Sequence, residues 1–379
     1  MAQRLKTDWM LFLTTLVLVG FGLVMVYSSS SLVAEFKFRD TSHFFVRQLV
    51  WAVFSFFALM YFKNRDYHRL RHPAWAFTPL GLVLMALLVV YFADPATHRW
   101  VRAFGMSLQP SEFAKPALVL FLAYFVSLRA NVINNRYTLG PATVVVVLLA
   151  LFVGIADLGT AIVLVATAVV IFYVAGLQRR YLITAMMAGF ALIIVAVVAK
   201  PYRMGRIIGY MDPEYKLLDR IDSSGGIKNY IHRSASAHDP SYQVRQSKIA
   251  LGAGGVLGVG LMQGKQKLLY LPEAHTDFIY AVVGEELGLW GSSALLIGFV
   301  IIMWRGMRLY WLAPDGFGRY LALGITTAIV VQAFINMSVV VDIIPNKGIP
   351  LPMISSGGSS LLSTLTSLGL LLSVSERSG

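Results

Sequence analysis

The sequence changes from polar to apolar within one stretch, Leu271-Pro272-Glu273-Ala274-His275-Thr276-Asp277-Phe278-Ile279-Tyr280. It places three titratable side chains, those of Glu273, His275 and Asp277, directly before a long apolar run. A carboxylate at such a boundary lies beside hydrocarbon and still reaches water, so its pKa can be perturbed and it can take part in acid–base chemistry. We therefore take Asp277 as the centre of the candidate site.

The composition of the whole chain is that of a membrane protein. Hydrophobic residues make up 57% of the 379 residues and charged residues only 13%. Several apolar runs reach the roughly 20 residues that a bilayer-spanning helix needs. The chain has no cysteine, which excludes disulfides. The formal charge of +13 is spread over short loops, which favours membrane topology and an anionic lipid substrate over nucleic acid.

The apolar runs predict an all-α polytopic fold with ten transmembrane helices in a single integral membrane domain, residues 1–379. Two runs are joined only by Ile155-Ala156-Asp157, which predicts a tight helical hairpin with Asp157 capping its second helix. The predicted spans lie near residues 9–29, 45–62, 74–92, 111–128, 139–155, 157–176, 181–199, 278–303, 318–343 and 351–374.

The charges of the short loops predict the orientation. An even number of spans places both termini on one side, and a cytoplasmic N-terminus agrees with the positive-inside rule. The basic residues then inside are Arg4, Lys6, Lys63, Arg65, Arg69, Arg71, Arg129, Arg136, Arg179, Arg180, Arg305 and Arg308. The other face has fewer, and these call for a reason other than topology: Lys37, Arg39, Arg99, Arg102 and Lys347.

One large outer loop, about residues 200–277, is predicted between helices 7 and 8. It begins with a basic part, Tyr202 to Arg206, and its middle, about 223–240, is polar and expected to be mobile. Its last part, Ile249 to Leu261, is apolar but only thirteen residues long, which is typical of a re-entrant or interfacial segment. We expect this loop to fold back over the mouth of the bundle and deliver Asp277 to it.

Two of the candidates have plain structural alternatives. Asp277 can cap the helix that follows it, although a cap does not need Glu273 and His275 nearby. Glu112 and Lys115 lie three residues apart, on one face near the outer end of the fourth helix. They either neutralise each other at the helix start or face a cavity inside the bundle.

The last span opens with a polar, glycine-rich run, Asn346 to Ser360. Paired glycines and serines near a helix start expose backbone amides to an anion, and Lys347 stands beside them. The alternative is close helix packing by small residues. The spacing is not that of a nucleotide-binding P-loop.

Seven motifs occur in order along nearly the whole chain. They are Arg99-Trp100; Gln109-Pro110-Ser111-Glu112 with Lys115; Asp157-Leu158-Gly159-Thr160-Ala161; Tyr202-Arg203 with Arg206; the glycine-rich run Tyr242 to Gly260; Leu271 to Phe278; and Gly348 to Leu362. In this combination the chain resembles the SEDS family (shape, elongation, division and sporulation). The run Leu351-Pro352-Met353-Ile354-Ser355 with Gly357-Gly358-Ser359-Ser360 resembles the division member more than the elongation member.

The resemblance implies a peptidoglycan glycosyltransferase that polymerises lipid II on the outer face of the cytoplasmic membrane, with Asp277 as the catalytic residue. Inverting an α-linked sugar pyrophosphate into a β-1,4 glycan needs one base, and cations or a divalent metal can stabilise the leaving pyrophosphate. No cofactor is evident, and a class B penicillin-binding protein is the implied partner. The expected substrate contacts are Arg99, Glu112, Lys115, Arg203, Arg206, His275, Lys347 and Ser355.

Two other functions fit part of the pattern. A lipid II flippase would also carry charges inside a helix bundle, but it would need polar residues along the whole path. The residues selected above cluster at the outer ends of the spans, which favours catalysis. A non-catalytic scaffold for a transpeptidase would leave Asp277 dispensable.

Overall fold

A computed structural model describes residues 7–94, 97–103, 106–212 and 240–377. Its described part contains twelve α-helices and one two-stranded antiparallel sheet. The helices are α1 Trp9–Phe38, α2 His43–Asn64, α3 Pro73–Ala93, α4 Pro110–Arg129, α5 Arg136–Ala156, α6 Leu158–Val174, α7 Arg179–Val198, α8 Pro201–Met211, α9 Pro240–Gly254, α10 Ile279–Leu312, α11 Gly316–Val340 and α12 Gly358–Ser375. The strands are β1 Val101–Ala103 and β2 Met106–Leu108, and 3-10 turns occupy Tyr67–Leu70 and Ala130–Val132.

The expectation of an all-α polytopic membrane protein is confirmed. Within the described residues, nine helices are long and apolar enough to cross a bilayer. A tenth apolar helix, α6, has 17 residues. Its length of about 26 Å falls short of the roughly 30 Å hydrocarbon core. The count of ten spans therefore stays a prediction.

The centre of the bundle is formed by α4, α11 and α12, whose apolar residues are mostly buried. Helix α12 packs along α2 at close range, and Gly369 lies against the backbone of Leu59 with no room for a side chain. Small residues allow such contacts, which drive helix association where lipid removes the hydrophobic effect. The outer helices expose large apolar side chains such as Phe57 and Phe190.

Both ends of the described chain lie at one end of the bundle. The hydroxyl of Thr7 donates to Glu376 at 2.9 Å, and Lys63 forms an ion pair with the same carboxylate at 2.6 Å. Helix α1 runs from here to the opposite end, which carries the site described below. The predicted common side for the termini agrees with this arrangement.

Helix α10 bends sharply at Gly288, whose backbone leaves the helical region with φ 63° and ψ −155°. The hydroxyl of Tyr280 consequently reaches the carbonyl oxygen of Ser292 at 3.4 Å. A straight helix would separate these two residues by about 18 Å along its axis. The span predicted at 278–303 is therefore two helical pieces, of which the second runs on to Leu312.

The long connection between α7 and α10 is more ordered than expected. Its basic start is the helix α8, and most of the polar middle, 223–240, lies outside the described residues. The predicted re-entrant or interfacial segment at Ile249–Leu261 is not one unit, because its first six residues complete α9, and its position in the membrane stays a prediction. The remainder lies against α10, where the N–H groups of Val259 and Gly260 donate to the carbonyls of Glu285 and Glu286, both at 3.0 Å.

The last helix begins later than predicted, at Gly358 rather than near residue 351. Pro350 and Pro352 lack the N–H groups that a helix needs and disfavour helical backbone in the residues before them. Met353 adopts a left-handed backbone with φ 65°, which turns the chain before α12. Residues 346–357 therefore form a loop rather than a helix start.

Candidate active site opposite the chain termini

Asp277 lies at the end of the bundle opposite the termini, just before α10. The side-chain nitrogen of Asn336, on α11, donates to the main-chain carbonyl of Asp277 at 2.7 Å and to that of Ile349 at 2.7 Å. Asn336 is buried. One amide therefore joins the loop that carries Asp277 to the loop that carries Lys347.

Asp277 is not a helix cap. The N-cap position of α10 is Phe278, and no side chain caps that end. The Asp277 carboxylate forms no hydrogen bond or ion pair with any residue that the structure describes. It lies against Gly348, where an added Cβ would overlap Oδ2. The carboxylate remains available to a ligand.

The surroundings of Asp277 favour its protonated form. Burial raises the pKa of the carboxyl group to about 7, against the opposing charge of Arg99. The nearby carboxylates of Glu273 and Asp157 raise the pKa further, and Arg206 lowers it. A carboxyl group with a pKa near neutrality can both accept and release a proton.

Lys347 is the second uncommitted charge. Its ammonium forms no hydrogen bond or ion pair within the described part of the chain. Burial lowers the pKa of Lys347 to about 7; Arg203 and Arg206 also lower it, and Asp157 opposes the decrease. An added anion would stabilise the protonated form, so this position suits a phosphate group.

Asp157 organises the neighbouring wall of the site. As predicted, it caps α6, accepting from the backbone N–H groups of Gly159 at 3.0 Å and Thr160 at 3.1 Å. Its other oxygen accepts from Gln109 at 3.4 Å and pairs with Arg99 at 3.4 Å. Nε of Arg99 is buried without a partner among the described residues. Arg99 therefore has donor capacity left for a substrate.

The two arginines of α8 complete the cationic side. Arg203 donates to the carbonyls of Gly154 at 2.9 Å and Ile155 at 3.2 Å, which fixes α8 to the end of α5. The charges of Arg203 and Arg206 both reach Lys347. Four cations, Arg99, Arg203, Arg206 and Lys347, thus lie near three carboxylates, those of Asp157, Glu273 and Asp277. The site is cationic overall and suits an anionic substrate.

Glu112 and Lys115 lie on one face of α4, as predicted, but inside the bundle. Their side chains form an ion pair at 2.8 Å, and Lys115 also donates to Gln332 of α11. Beside them is a cavity of about 10 Å³, lined partly by Ser363 and Thr364, which has room for about one water. Because both charges are buried and paired with each other, a direct substrate contact here stays a prediction.

His275 and Ser355 hold the loops together. The ring of His275 packs on Phe44 of α2 at 4.8 Å, and burial lowers its pKa. The hydroxyl of Ser355 donates to the carbonyl of Thr276 at 2.5 Å and accepts from the N–H of Leu351 at 2.8 Å. These contacts position the Asp277 loop, and a substrate role for either residue stays a prediction.

Sequence reasoning missed Asn336 and Gln332, the amides that connect α11 to the site. The signal was present, because a polar side chain within an apolar span usually faces the bundle interior and binds a partner there. No cluster of three or more potential metal ligands of the His, Cys, Asp or Glu type occurs within residues 7–94, 97–103, 106–212 and 240–377.

Comparison with known proteins identifies relatives over the full length. Residues 8–379 match the family model FTSW_RODA_SPOVE, described as cell cycle protein. A Geobacter metallireducens protein named probable peptidoglycan glycosyltransferase FtsW is 38% identical over 98% of this chain and 95% of its own length. Stage V sporulation protein E of Bacillus subtilis is 36% identical over 99% of both chains.

Solved structures share the fold. One chain, from a structure described as the coordination of polymerization and crosslinking by a peptidoglycan synthase complex, matches with a TM-score of 0.74 and 23% identity over 98% of each chain. The rod shape determining protein RodA of Thermus thermophilus matches with a TM-score of 0.67 and 21% identity over 99% of each chain.

Proposed function

Because this chain belongs to the FtsW/RodA/SpoVE family of cell cycle proteins, we propose that it is a peptidoglycan glycosyltransferase that polymerises lipid II during cell division. The observation that carries this proposal is the pair Asp277 and Lys347, whose charged groups have no hydrogen-bond or ion-pair partner among the described residues, in a cationic site at one end of a membrane bundle. Lipid II supplies what such a site binds: a sugar hydroxyl, a pyrophosphate and an apolar tail.

Asp277 acts as the base in this reaction. The acceptor sugar hydroxyl gives its proton to the Asp277 carboxylate while its oxygen forms a bond to the anomeric carbon of the donor. The bond from that carbon to the pyrophosphate oxygen breaks, and its electron pair leaves with the lipid pyrophosphate. Attack from the opposite face inverts the α-linkage into a β-linkage, so one carboxylate suffices.

The cations stabilise the leaving group. Pyrophosphate departs with negative charge, and no residue that the structure describes pairs with Lys347 in competition for it. Nε of Arg99 is a donor without a partner among the described residues. The guanidinium of Arg203 already donates to carbonyl oxygens, so Arg203 stabilises the leaving group mainly through its positive charge at a distance. Fixed cations in a site of low dielectric stabilise charge more strongly than water does. A divalent cation would bind through the pyrophosphate and at most one or two carboxylates here, which is the usual mode for Mg²⁺.

The orientation follows from substrate chemistry and loop charge. Lipid II is polymerised on the outer face of the cytoplasmic membrane, so the Asp277 end faces outward and both termini lie in the cytoplasm. The basic residues near the termini, including Lys63 and Arg305, agree with this orientation under the positive-inside rule.

A complex with a class B penicillin-binding protein is part of the proposal. Trp290, Trp304 and Trp311 are exposed on α10 at multiples of seven residues, so they share one lipid-facing side. This side suits the single membrane helix of such a transpeptidase.

Co-purification should raise glycan synthesis, and Trp304→Ala should reduce that increase while Trp75→Ala, on exposed α3, should not. Equal activity alone and in mixture would argue against a complex.

Purified protein given labelled lipid II tests the central claim. We expect long glycan chains on a gel, together with release of the lipid pyrophosphate. The rival flippase would move fluorescent lipid II between leaflets of vesicles without making polymer. Transbilayer movement with no polymer would overturn the proposal.

A further inference from the structure

Two buried carboxylates of α10 have no part in the mechanism above. Glu286 is 0% exposed and Glu285 is 2% exposed. Glu286 accepts from the hydroxyl of Ser28 on α1 at 2.7 Å and from the ammonium of Lys267 at 2.6 Å. Lys267 also donates to Ser28 at 2.9 Å. Buried charges of this kind are retained only where they are paired and hydrogen-bonded.

The same carboxylates bind the backbone of the segment that leads to Asp277. The N–H of Met262 donates to Glu286 at 3.0 Å. The N–H groups of Lys265 and Gln266 donate to Glu285 at 2.7 Å and 3.2 Å. We call the side chains of Ser28, Lys267, Glu285 and Glu286 the anchor, and residues 255–278 the connecting segment.

The bend in α10 strengthens this attachment. At Gly288 the helix ladder is interrupted, and the N–H of Leu289 donates to the carbonyl of Gly255 at 3.0 Å. Gly258 lies so close to the backbone of Glu286 that an added Cβ would overlap it. The connecting segment is therefore bound to α10 through both backbone and side chains.

The connecting segment is strained between the anchor and Asp277. Three of its non-glycine residues, Met262, Leu269 and Glu273, have left-handed backbones with φ of 67°, 71° and 56°. Such backbones are uncommon outside glycine and persist when surrounding contacts fix them. The anchor supplies contacts of that kind upstream, and Asn336 supplies them at Asp277 itself.

We propose that Glu285 and Glu286 are positioning residues, which hold the connecting segment through the anchor so that Asp277 lies against the Lys347 loop. This inference rests on the proposed function, in which Asp277 is the base. The anchor does not touch the substrate and acts only through the segment. Loss of the anchor should let water reach Asp277. If the anchor had only a structural role, its loss would change only the amount of folded protein.

The test compares Glu286→Gln with Phe317→Leu, a variant of a buried residue at the opposite end of the bundle. For Glu286→Gln we expect kcat to fall about 10–100-fold at nearly unchanged KM for lipid II. The acid limb of the pH–rate profile should also move to lower pH by about one unit or more, because hydration favours the charged carboxylate. Phe317→Leu should leave the limb in place. An unmoved limb in Glu286→Gln, with activity proportional to folded protein, would overturn the proposal.

A second readout does not depend on glycan synthesis. Spin labels on cysteines at Tyr270 and Ile343, both exposed, report the distance between the connecting segment and the Lys347 loop. The distribution should be narrow in the parent and broad with Glu286→Gln; an equally narrow distribution contradicts the anchor. If Glu286→Gln does not fold, Ser28→Ala removes the hydrogen bonds of Ser28 to Glu286 and Lys267 and keeps every charge, and it should broaden the distribution by a smaller amount. The role of Asp277 as the base is tested separately, by the loss of glycan synthesis that we expect in Asp277→Asn.

Discussion

The side-chain amide of Asn336 donates to the main-chain carbonyl of Asp277 at 2.7 Å, across 59 residues of sequence. The same nitrogen donates to Ile349, so a single buried side chain sets the spacing between the proposed base and the loop of the proposed phosphate-binding lysine. The site depends on how three distant segments meet rather than on one motif.

Replacing Asn336 by Leu should therefore separate the two loops. The change keeps the branched shape of the side chain with some added volume, and it leaves two carbonyls without this donor, which costs about 1–3 kcal/mol of stability each. We expect a lower melting temperature and a loss of kcat larger than the loss of folded protein. Ile335→Val, at the adjacent position, should have little effect on either. Normal kcat for folded Asn336→Leu would show that the bridge is dispensable.

Asp277→Asn should abolish most polymerisation while the protein still folds. Asn keeps the size of the side chain but cannot take a proton, so the rate should fall by about 10²–10⁴. Binding of lipid II should persist, because it depends on the cations and the apolar tail. The matched control is Glu273→Gln, an exposed acidic neighbour, which should stay active. Near-normal glycan chains from Asp277→Asn would refute its role as base.

The pH dependence of kcat/KM should be bell-shaped around neutrality. Burial raises the pKa of Asp277 to about 7, so the base is protonated and inactive at lower pH. Burial lowers the pKa of Lys347 to about 7, so the free enzyme loses this cation at higher pH. Lys347→Arg keeps its positive charge at high pH, so it should flatten the alkaline limb of the profile and leave the acid limb unchanged. A profile that is flat from pH 5 to 9 would contradict both assignments.

Gly348→Ala should displace the Asp277 carboxylate. A Cβ at this position would overlap Oδ2 of Asp277, so one of the two loops must move. A shift of about 1 Å at a reacting group can cost 10²-fold in rate, and we expect a loss of about 10–100-fold. Gly252→Ala, in α9 with open space around it, should keep full activity. Equal activity of the two variants would place Asp277 outside the reaction.

Single cysteines should report the orientation, because the chain has none of its own. A membrane-impermeant thiol reagent on intact cells should label cysteines at Ser234 and Lys347. It should not label cysteines at Arg69 or Arg308 until the membrane is permeabilised. The reverse pattern would place the Asp277 end in the cytoplasm and exclude the proposed reaction there.

The sequence by itself determined the membrane class, the approximate position of each apolar helix, the hairpin at Asp157 and the candidacy of Asp277. These features are local: span length follows from bilayer thickness, a cap from residues within one turn, and a boundary carboxylate from adjacent polarity. The order of motifs also led to the correct family, because motif order is a property of the sequence itself.

Only the tertiary structure decided which charges are available. It pairs Lys115 with Glu112 inside the bundle, directs Ser355 to a loop contact and gives Asp277 and Lys347 no ionic partner within the part of the chain that it describes. It also decided the bend at Gly288 and the contact of Ser28 with Glu286 across 258 residues. The physical reason is that pairing and burial depend on which faces of distant helices meet, and apolar periodicity specifies that a face is buried but not the partner it meets.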